Sequence, residues 1–297
     1  MMDKPGFSGR AVVITGTSTG IGRACALHLD RLGFRVFAGV RTSRDGESLQ
    51  SESDGRTIPL LLDVTDGTSV RAAADEVARA IGDAGLFGLV NNAGIVVSGP
   101  LEFLPLSEIG QQFEVNVLGQ ISVVQAFLPL LRRAKGRIVN MGSISGRMAL
   151  PFLGPYSASK FALEAITDSL RLELMPWGIT VSIIEPGAVK TPIWEKSRVA
   201  AGKRARNFPA EAFELYGPMI DAFRSETEKA AGAGVEPDVV ARAVEHALTA
   251  KKPKTRYLVG RNAHLQAFLK KVLPGPLFDR LISSKIKRMV RTSRRRR

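Results

Sequence analysis

A phenol and an ammonium stand four residues apart in the run Tyr156-Ser157-Ala158-Ser159-Lys160. On a helix they share one face, a single turn or ~6 Å apart along the axis. Tyrosine ordinarily titrates near pH ~10 and is a reluctant proton donor at neutrality. A lysine charge held about 4 Å away, at an effective dielectric of about 20, favours the phenolate by about 4 kcal/mol. That brings the phenol to about 7, where a general acid/base works best. Such a pair also arises by chance on solvated helices, so its neighbours matter. Ser143 stands upstream, just past the apolar run Arg137-Ile138-Val139-Asn140-Met141. Its hydroxyl is a ready donor to a carbonyl oxygen on which charge develops.

These groups need a scaffold, and the chain before them supplies a regular one. Residues 11–15 form a short β-branched apolar run that predicts a buried parallel strand. The loop Gly16-Thr17-Ser18-Thr19-Gly20-Ile21-Gly22 follows, and helical spacing begins at Arg23. Strand, glycine loop, helix is the setting in which small residues let the backbone approach a pyrophosphate at a helix N-terminus. Further strands are predicted over 33–40, 58–64, 86–90, 136–141, 178–184 and 256–260. Helices are predicted over 69–81, 107–133, 155–175 and 236–250, with Phe113, Val117, Ile121 and Val124 on one face of the second. The alternation gives an α/β fold, a doubly wound parallel sheet of about seven strands with helices on both faces and ligands at the carboxyl ends of the strands.

Tyr156, Lys160, Ser143 and Asn116, with the glycine loop, resemble the motifs of the short-chain dehydrogenase/reductase family, and the layout is similar to its steroid and retinol dehydrogenase branch. The resemblance runs from about Arg10 to Trp194 and implies a Rossmann-type fold. It implies that Tyr156 is the proton donor, with Ser143 bonding the substrate oxygen. Lys160 would lower the phenol and hold the nicotinamide ribose, and Asn116 would open its helix and anchor a water beside Lys160. Asp63, with Val64 beside it, matches the aspartate on the adenine edge. Asn91-Asn92-Ala93-Gly94 resembles the family element lining the cofactor cleft, and Pro186-Gly187 through Val189 to Thr191 matches the turn beside the nicotinamide amide.

The second strand ends without an acid. Val40 stands at the expected position and Arg41 follows, with Arg44 and Thr19 nearby. A guanidinium forks onto a phosphate dianion, which favours NADP(H) over NAD(H). The substrate pocket is expected from Ser143, Ser145, Met148, Phe152, Tyr156, Ile193 and Trp194. Walls so apolar leave charged or sugar-like groups unpaired, so a bulky apolar alcohol, ketone or aldehyde fits best. The competing reading is a catalytically silent, cofactor-bound scaffold.

Residues 1–262 are expected to form one domain, with a substrate lid over about 193–234 and a basic amphipathic extension over 263–297. The lid's apolar inner face draws on Ile193, Trp194, Phe208, Phe213, Tyr216 and Met219. The run Lys203-Arg204-Ala205-Arg206 reads as a solvated face, and Trp177 as core. The single Cys25 excludes an intrachain disulfide framework, and His28, His246 and His264 lack metal-ligand spacing, so no metal site is expected. The net charge of +14 is a tail property: from Lys270 onward eleven Lys and Arg face one acid, Asp279. The apolar stripe among these residues suits either an anionic membrane surface, through 277–297, or packing on the domain. Nucleic acid is a poor fit, because aromatic interleaving and a recognised module are missing. Without a signal-like segment before Arg10 the expectation is cytoplasmic, with possible peripheral membrane contact. A homodimer or homotetramer through the 107–133 and 156–175 helices follows from the resemblance.

Overall fold

The computed structural model describes residues 7–294. In chain order the elements are β1 (Ala11–Ile14), α1 (Gly20–Arg31), β2 (Arg35–Val40), α2 (Ser43–Gln50), β3 (Thr57–Leu61), α3 (Gly67–Ile81) and β4 (Gly88–Asn91). Then come α4 (Leu106–Phe113), α5 (Gly119–Ala134), β5 (Arg137–Met141), α6 (Gly154–Glu173), β6 (Thr180–Pro186), α7 (Ile193–Ala205) and α8 (Ala210–Gly232). The chain continues through α9 (Pro237–Thr249), β7 (Arg256–Val259), α10 (Arg261–Val272) and α11 (Gly275–Arg294). Seven strands pair in parallel in the order β3-β2-β1-β4-β5-β6-β7.

Successive strand residues face opposite sides, which lets one short strand anchor two cores. Val12 and Ile14 pack with Cys25 and Leu29 of α1 and Val244 of α9. Ala11 and Val13 pack on the other side with Val77 of α3 and Phe127 of α5. After β1 the sheet grows toward β2, and from β4 it grows the other way. The loops leaving β1 and β4 therefore diverge and open a crevice at the carboxyl ends.

The predicted 107–133 helix is present but interrupted, with a wide π turn at Glu114–Leu118 between α4 and α5. By length and composition Leu106–Ala134 is long and apolar enough to cross a membrane, but half of its most apolar stretch is buried inside the fold.

The lid stretch is more regular than its sequence pattern, being two helices, α7 and α8. Tyr216 of α8 and Phe208 between the two helices meet the Phe103 ring on the inner side, but Phe213 is 46% exposed. Arg204 is not solvated: its guanidinium is buried against Glu108 at 3.1 Å, because α7 folds back over α4. Trp177 is not core either. It lies half exposed beneath the Arg132 guanidinium, 4.8 Å from the ring centroid, since the short turn between α6 and β6 runs along the surface. On α11, Phe278 is buried with Ile144, Met148 and Ala263, and Lys285 pairs with Glu226 of α8 at 2.9 Å. Part of the apolar stripe thus packs on the domain, while Leu277 and Leu281 stay exposed. The end of the terminal arginine run, 295–297, lies outside the described residues.

Candidate active site

The loops leaving β1 and β4 are stitched together by side chains. Thr15 Oγ1 accepts the backbone N–H groups of Asn92 and Ala93, both at 2.9 Å. Asn92 Nδ2 donates back to the carbonyls of Thr15 and Gly16 at 2.9 and 3.0 Å. A β-carbon on Gly22 would lie 2.2 Å from the Gly16 carbonyl oxygen, and one on Gly16, whose φ is +68°, 2.8 Å from the Ala93 Cα. The loop is tight because the backbones themselves touch, so glycine is required there. Thr17 turns inward and donates to the Gly39 carbonyl at 3.0 Å, leaving Ser18, Thr19 and Ile21 to edge the crevice.

A nicotinamide dinucleotide fits the groups this arrangement presents. The N-terminus of α1 follows an extended Thr19 that makes no side-chain cap, and its first turn holds no acid. Uncapped N–H groups at a helix start favour an anion. Val40 is buried at the end of β2, so the strand offers no carboxylate, whereas Arg41 and Arg44 are exposed beside it. Asp63 accepts from Thr65 N and Oγ1 at 2.9 and 2.7 Å, and those bonds, joined by the charge of Arg41, hold its carboxyl below the usual range. A β-carbon on Gly20 would meet Thr191 at 3.1 Å, so the glycine loop and the turn after Pro186-Gly187 close on each other.

The polar residues gather at the ends of β4 and β5. Asn116 sits fully buried in the π turn, accepting from Ile95 N at 2.8 Å and donating to Ile95 O at 3.1 Å and Ser159 Oγ at 3.2 Å. Ser159 Oγ donates to the Tyr156 carbonyl at 2.7 Å. Lys160 is buried and donates to the Met141 carbonyl at 2.7 Å, its Nζ 5.8 Å from the Tyr156 ring centroid. Ser143, buried after β5, accepts from Ser145 N at 3.1 Å, and its hydroxyl lies near enough to Tyr156 to pull the phenol down. Ser159 and Gln112 were not singled out from sequence. Gln112 is fully buried, accepting from Val97 N at 2.6 Å and donating to Ile95 O at 2.9 Å. Gln112 holds the loop after β4 directly and Ser159 supports it through Asn116, roles that only the fold reveals.

The titration expected from the Tyr–Lys pair is corrected by this geometry. Burial raises Tyr156 above its usual 10, and the bond to Ser143 only partly opposes that rise. Lys160 faces the Met141 carbonyl rather than the phenol, and burial lowers it from 10.5 to about 8. Desolvation, not mutual attraction, dominates both groups here.

Among the expected substrate residues, Met148 packs beneath α10 and α11 with Ile144 and Phe278 instead of standing free as a wall. Phe152 has φ +66° and meets Tyr216 and Phe223 of α8 edge-on, at 6.2 and 5.5 Å. Phe223, two helical turns past Tyr216, completes an aromatic wall that also includes Phe103 and Phe208. Trp194 turns its indole N–H back to the Val189 carbonyl at 2.7 Å, and Ile193 is half-buried beside it.

The short chain dehydrogenase family pattern matches residues 10–201. The chain is 41% identical to human retinol dehydrogenase 5 over 92% of its own length and 87% of that protein. It is 38% identical to bovine 17-beta-hydroxysteroid dehydrogenase type 6, with 92% and 87% covered. To the NADPH-dependent 3-dehydrocapnine reductase of Ornithobacterium rhinotracheale it is 35% identical, with 96% and 100% covered. A short chain dehydrogenase/reductase from Burkholderia phymatum, solved in complex with NAD, superposes with a TM-score of 0.75 at 26% identity, over 91% and 94% of the two chains. One from Burkholderia cenocepacia in complex with NADP gives 0.70 at 25%, over 93% and 98%.

The burial of Lys160 has a measurable consequence. Its folded value of about 8 lies below 10.5, so at neutral pH the folded state holds a charge it disfavours; this cost relaxes as pH rises from about 8 to 10.5. Lys160→Met is therefore expected to raise the Tm of the cofactor-free protein at pH 7, with the gap narrowing toward pH 10. A variant no more stable at pH 7 would show that the bond to Met141 offsets the burial cost.

Proposed function

Because the chain belongs to the short-chain dehydrogenase family, we propose that Tyr156, Ser143, Lys160 and Asn116 perform its chemistry on a bulky apolar substrate, with NADP(H) as the preferred cofactor. The protein is an oxidoreductase that interconverts an alcohol and its ketone or aldehyde with a nicotinamide cofactor. When bound, that cofactor supplies or accepts the hydride.

The observation that carries the reading is the meeting of Ser143, Tyr156, Lys160 and Asn116 where β4 and β5 end. In the reductive direction Ser143 Oγ donates to the carbonyl oxygen and Tyr156 gives the same oxygen its proton; in the oxidative direction the tyrosinate takes it back. Lys160, its Nζ donating to the Met141 carbonyl beside the Tyr156 ring, would hold the nicotinamide ribose. Asn116 fixes the wide turn that lets α5 resume beside α6, and through Ser159 it steadies the backbone carrying Tyr156. The glycine loop, Asp63, Val64, Asn92, Ala93, Gly94, Gly187, Val189 and Thr191 would hold the dinucleotide, with Arg41 on a 2′-phosphate.

Support for an apolar substrate comes from Phe152, Tyr216 and Phe223 over the pocket and from the substrates in the names of the retinol and hydroxysteroid relatives. Exposed Leu265, Phe268 and Val272 on α10, with Lys270 and Lys271 beside them, support peripheral contact with an anionic membrane. Exposed Leu118, Phe161 and Leu172 on the α4–α6 side support self-association.

Tyr156→Phe is expected to lower kcat by about 10²-fold or more on retinol or an apolar ketone while leaving NADPH binding intact. Full turnover in that variant would remove Tyr156 from the chemistry. Arg41→Glu should cut kcat/KM with NADPH about tenfold or more and spare NADH; equal losses with both cofactors would mean Arg41 does not read the phosphate. Sedimentation addresses the remaining surfaces: Phe268→Asp should release the protein from anionic vesicles without changing its mass in solution. Retention of that variant on the vesicles would place the contact elsewhere.

A further inference from the structure

Behind the catalytic groups lies a set of charges for which the chemistry above has no use. Glu185, the penultimate residue of β6, is fully buried, and Arg147 holds it through Nε on one oxygen and through a terminal nitrogen on the other at 2.8 Å. Glu164 lies on α6 one turn beyond Lys160. Its Oε2 accepts from Arg256 Nε at 3.0 Å, and Arg256 also donates to Asp168 at 2.6 Å. The other oxygen, Oε1, is buried with no partner in good hydrogen-bond geometry, yet the carboxyl interacts directly with that of Glu185.

Two carboxylates cannot both be charged at such range without a large cost, and an unpartnered buried carboxylate oxygen adds to it. A neutral Glu164 removes both, since its O–H can donate to Glu185. The placement is telling. Arg147 ends the turn that starts at Ser143, Glu185 precedes Pro186-Gly187, and Glu164 follows Lys160. A β-carbon on Gly146 would meet the Lys160 carbonyl at 3.0 Å and Glu164 Cγ at 3.2 Å, so the Ser143 turn lies directly on α6 at this point.

We propose that Arg147, Glu164 and Glu185 are positioning residues: a proton shared by the two carboxyls locks the Ser143 turn, the Tyr156–Lys160 helix and the Pro186-Gly187 turn into one rigid unit. The proton sits between them near neutrality, because burial and the Glu185 charge push Glu164 up to about 7 against the pull of Arg256. The other charges facing the cluster are Asp168 and Arg171 on α6, Arg256 on β7, and His264, Lys270 and Lys271 of α10 across the open cavity that Arg147 lines. Above about pH 7 the shared proton leaves and the carboxylates repel, loosening the turn beside the nicotinamide. The folded state keeps a proton that the unfolded chain releases near 4.5, so this group's contribution to stability falls from about pH 4.5 to about 7 and then levels.

The part about turnover rests on the alcohol–ketone chemistry proposed above; the part about the proton does not. Infrared difference spectra of the whole protein should show a protonated-carboxyl band that disappears with a midpoint near neutrality and is missing in Glu164→Gln. NADPH affinity, read by fluorescence, should weaken several-fold from about pH 6 to about pH 8.5 in the wild type and clearly less in Glu164→Gln, while Lys160 titrates alike in both. Glu164→Ala should lower kcat about tenfold, with most of it restored by Glu164→Gln. If Glu164→Ala does not fold, the comparison of wild type with Glu164→Gln decides. A band already lost by pH 6, or superimposable pH profiles of affinity for wild type and Glu164→Gln, would overturn the proposal. If no variant turned over any alcohol or ketone, the functional reading would fall, and the band and the affinity profile would still decide this one.

Discussion

Chain leaving a parallel strand loses its ladder of hydrogen bonds and must find other partners if it stays buried. From Asn92 to Val97 the replacements are side chains. Thr15 takes the N–H groups of Asn92 and Ala93, Asn116 takes both polar groups of Ile95, and Gln112 takes those of Val97 and Ile95. This connection joins the cofactor crevice on one side to the Tyr156 helix on the other, through Asn116 and Ser159. If it moved, the glycine loop and Tyr156 would lose their common reference.

The site's electrostatics follow from the same enclosure. Tyr156, Lys160 and Glu164 all sit where water is scarce, and there desolvation outweighs pairing. The phenol is pushed up, the ammonium down and Glu164 up. Each of these shifts disfavours the charged form. An incoming dinucleotide and a polar carbonyl oxygen would then meet donors already stripped of solvent.

The sheet was legible because seven apolar runs alternate with helical spacing, and the meeting of Ser143, Tyr156, Lys160 and Asn116 was legible because these residues stand in a recognisable order. Missed features depended on contacts between distant segments. Arg204 looked solvated because nothing in Lys203-Arg204-Ala205-Arg206 points to Glu108, almost a hundred residues earlier. Trp177 looked like core because an aromatic at a strand entrance usually is; its cover by Arg132 is a tertiary event. The Tyr156–Lys160 pair was spaced correctly, yet i,i+4 spacing says nothing about which carbonyl the lysine faces, and Met141 claimed it.

Phe152 carries a consequence for how this protein tolerates change. Its left-handed backbone costs about 1–3 kcal/mol that glycine would not incur, and its ring is what meets Tyr216 and Phe223. Selection for heat resistance and selection for these aromatic contacts therefore pull this position in opposite directions. A library sorted only on thermal survival would drift toward glycine here, and the survivors would be sturdier proteins with a breached aromatic wall.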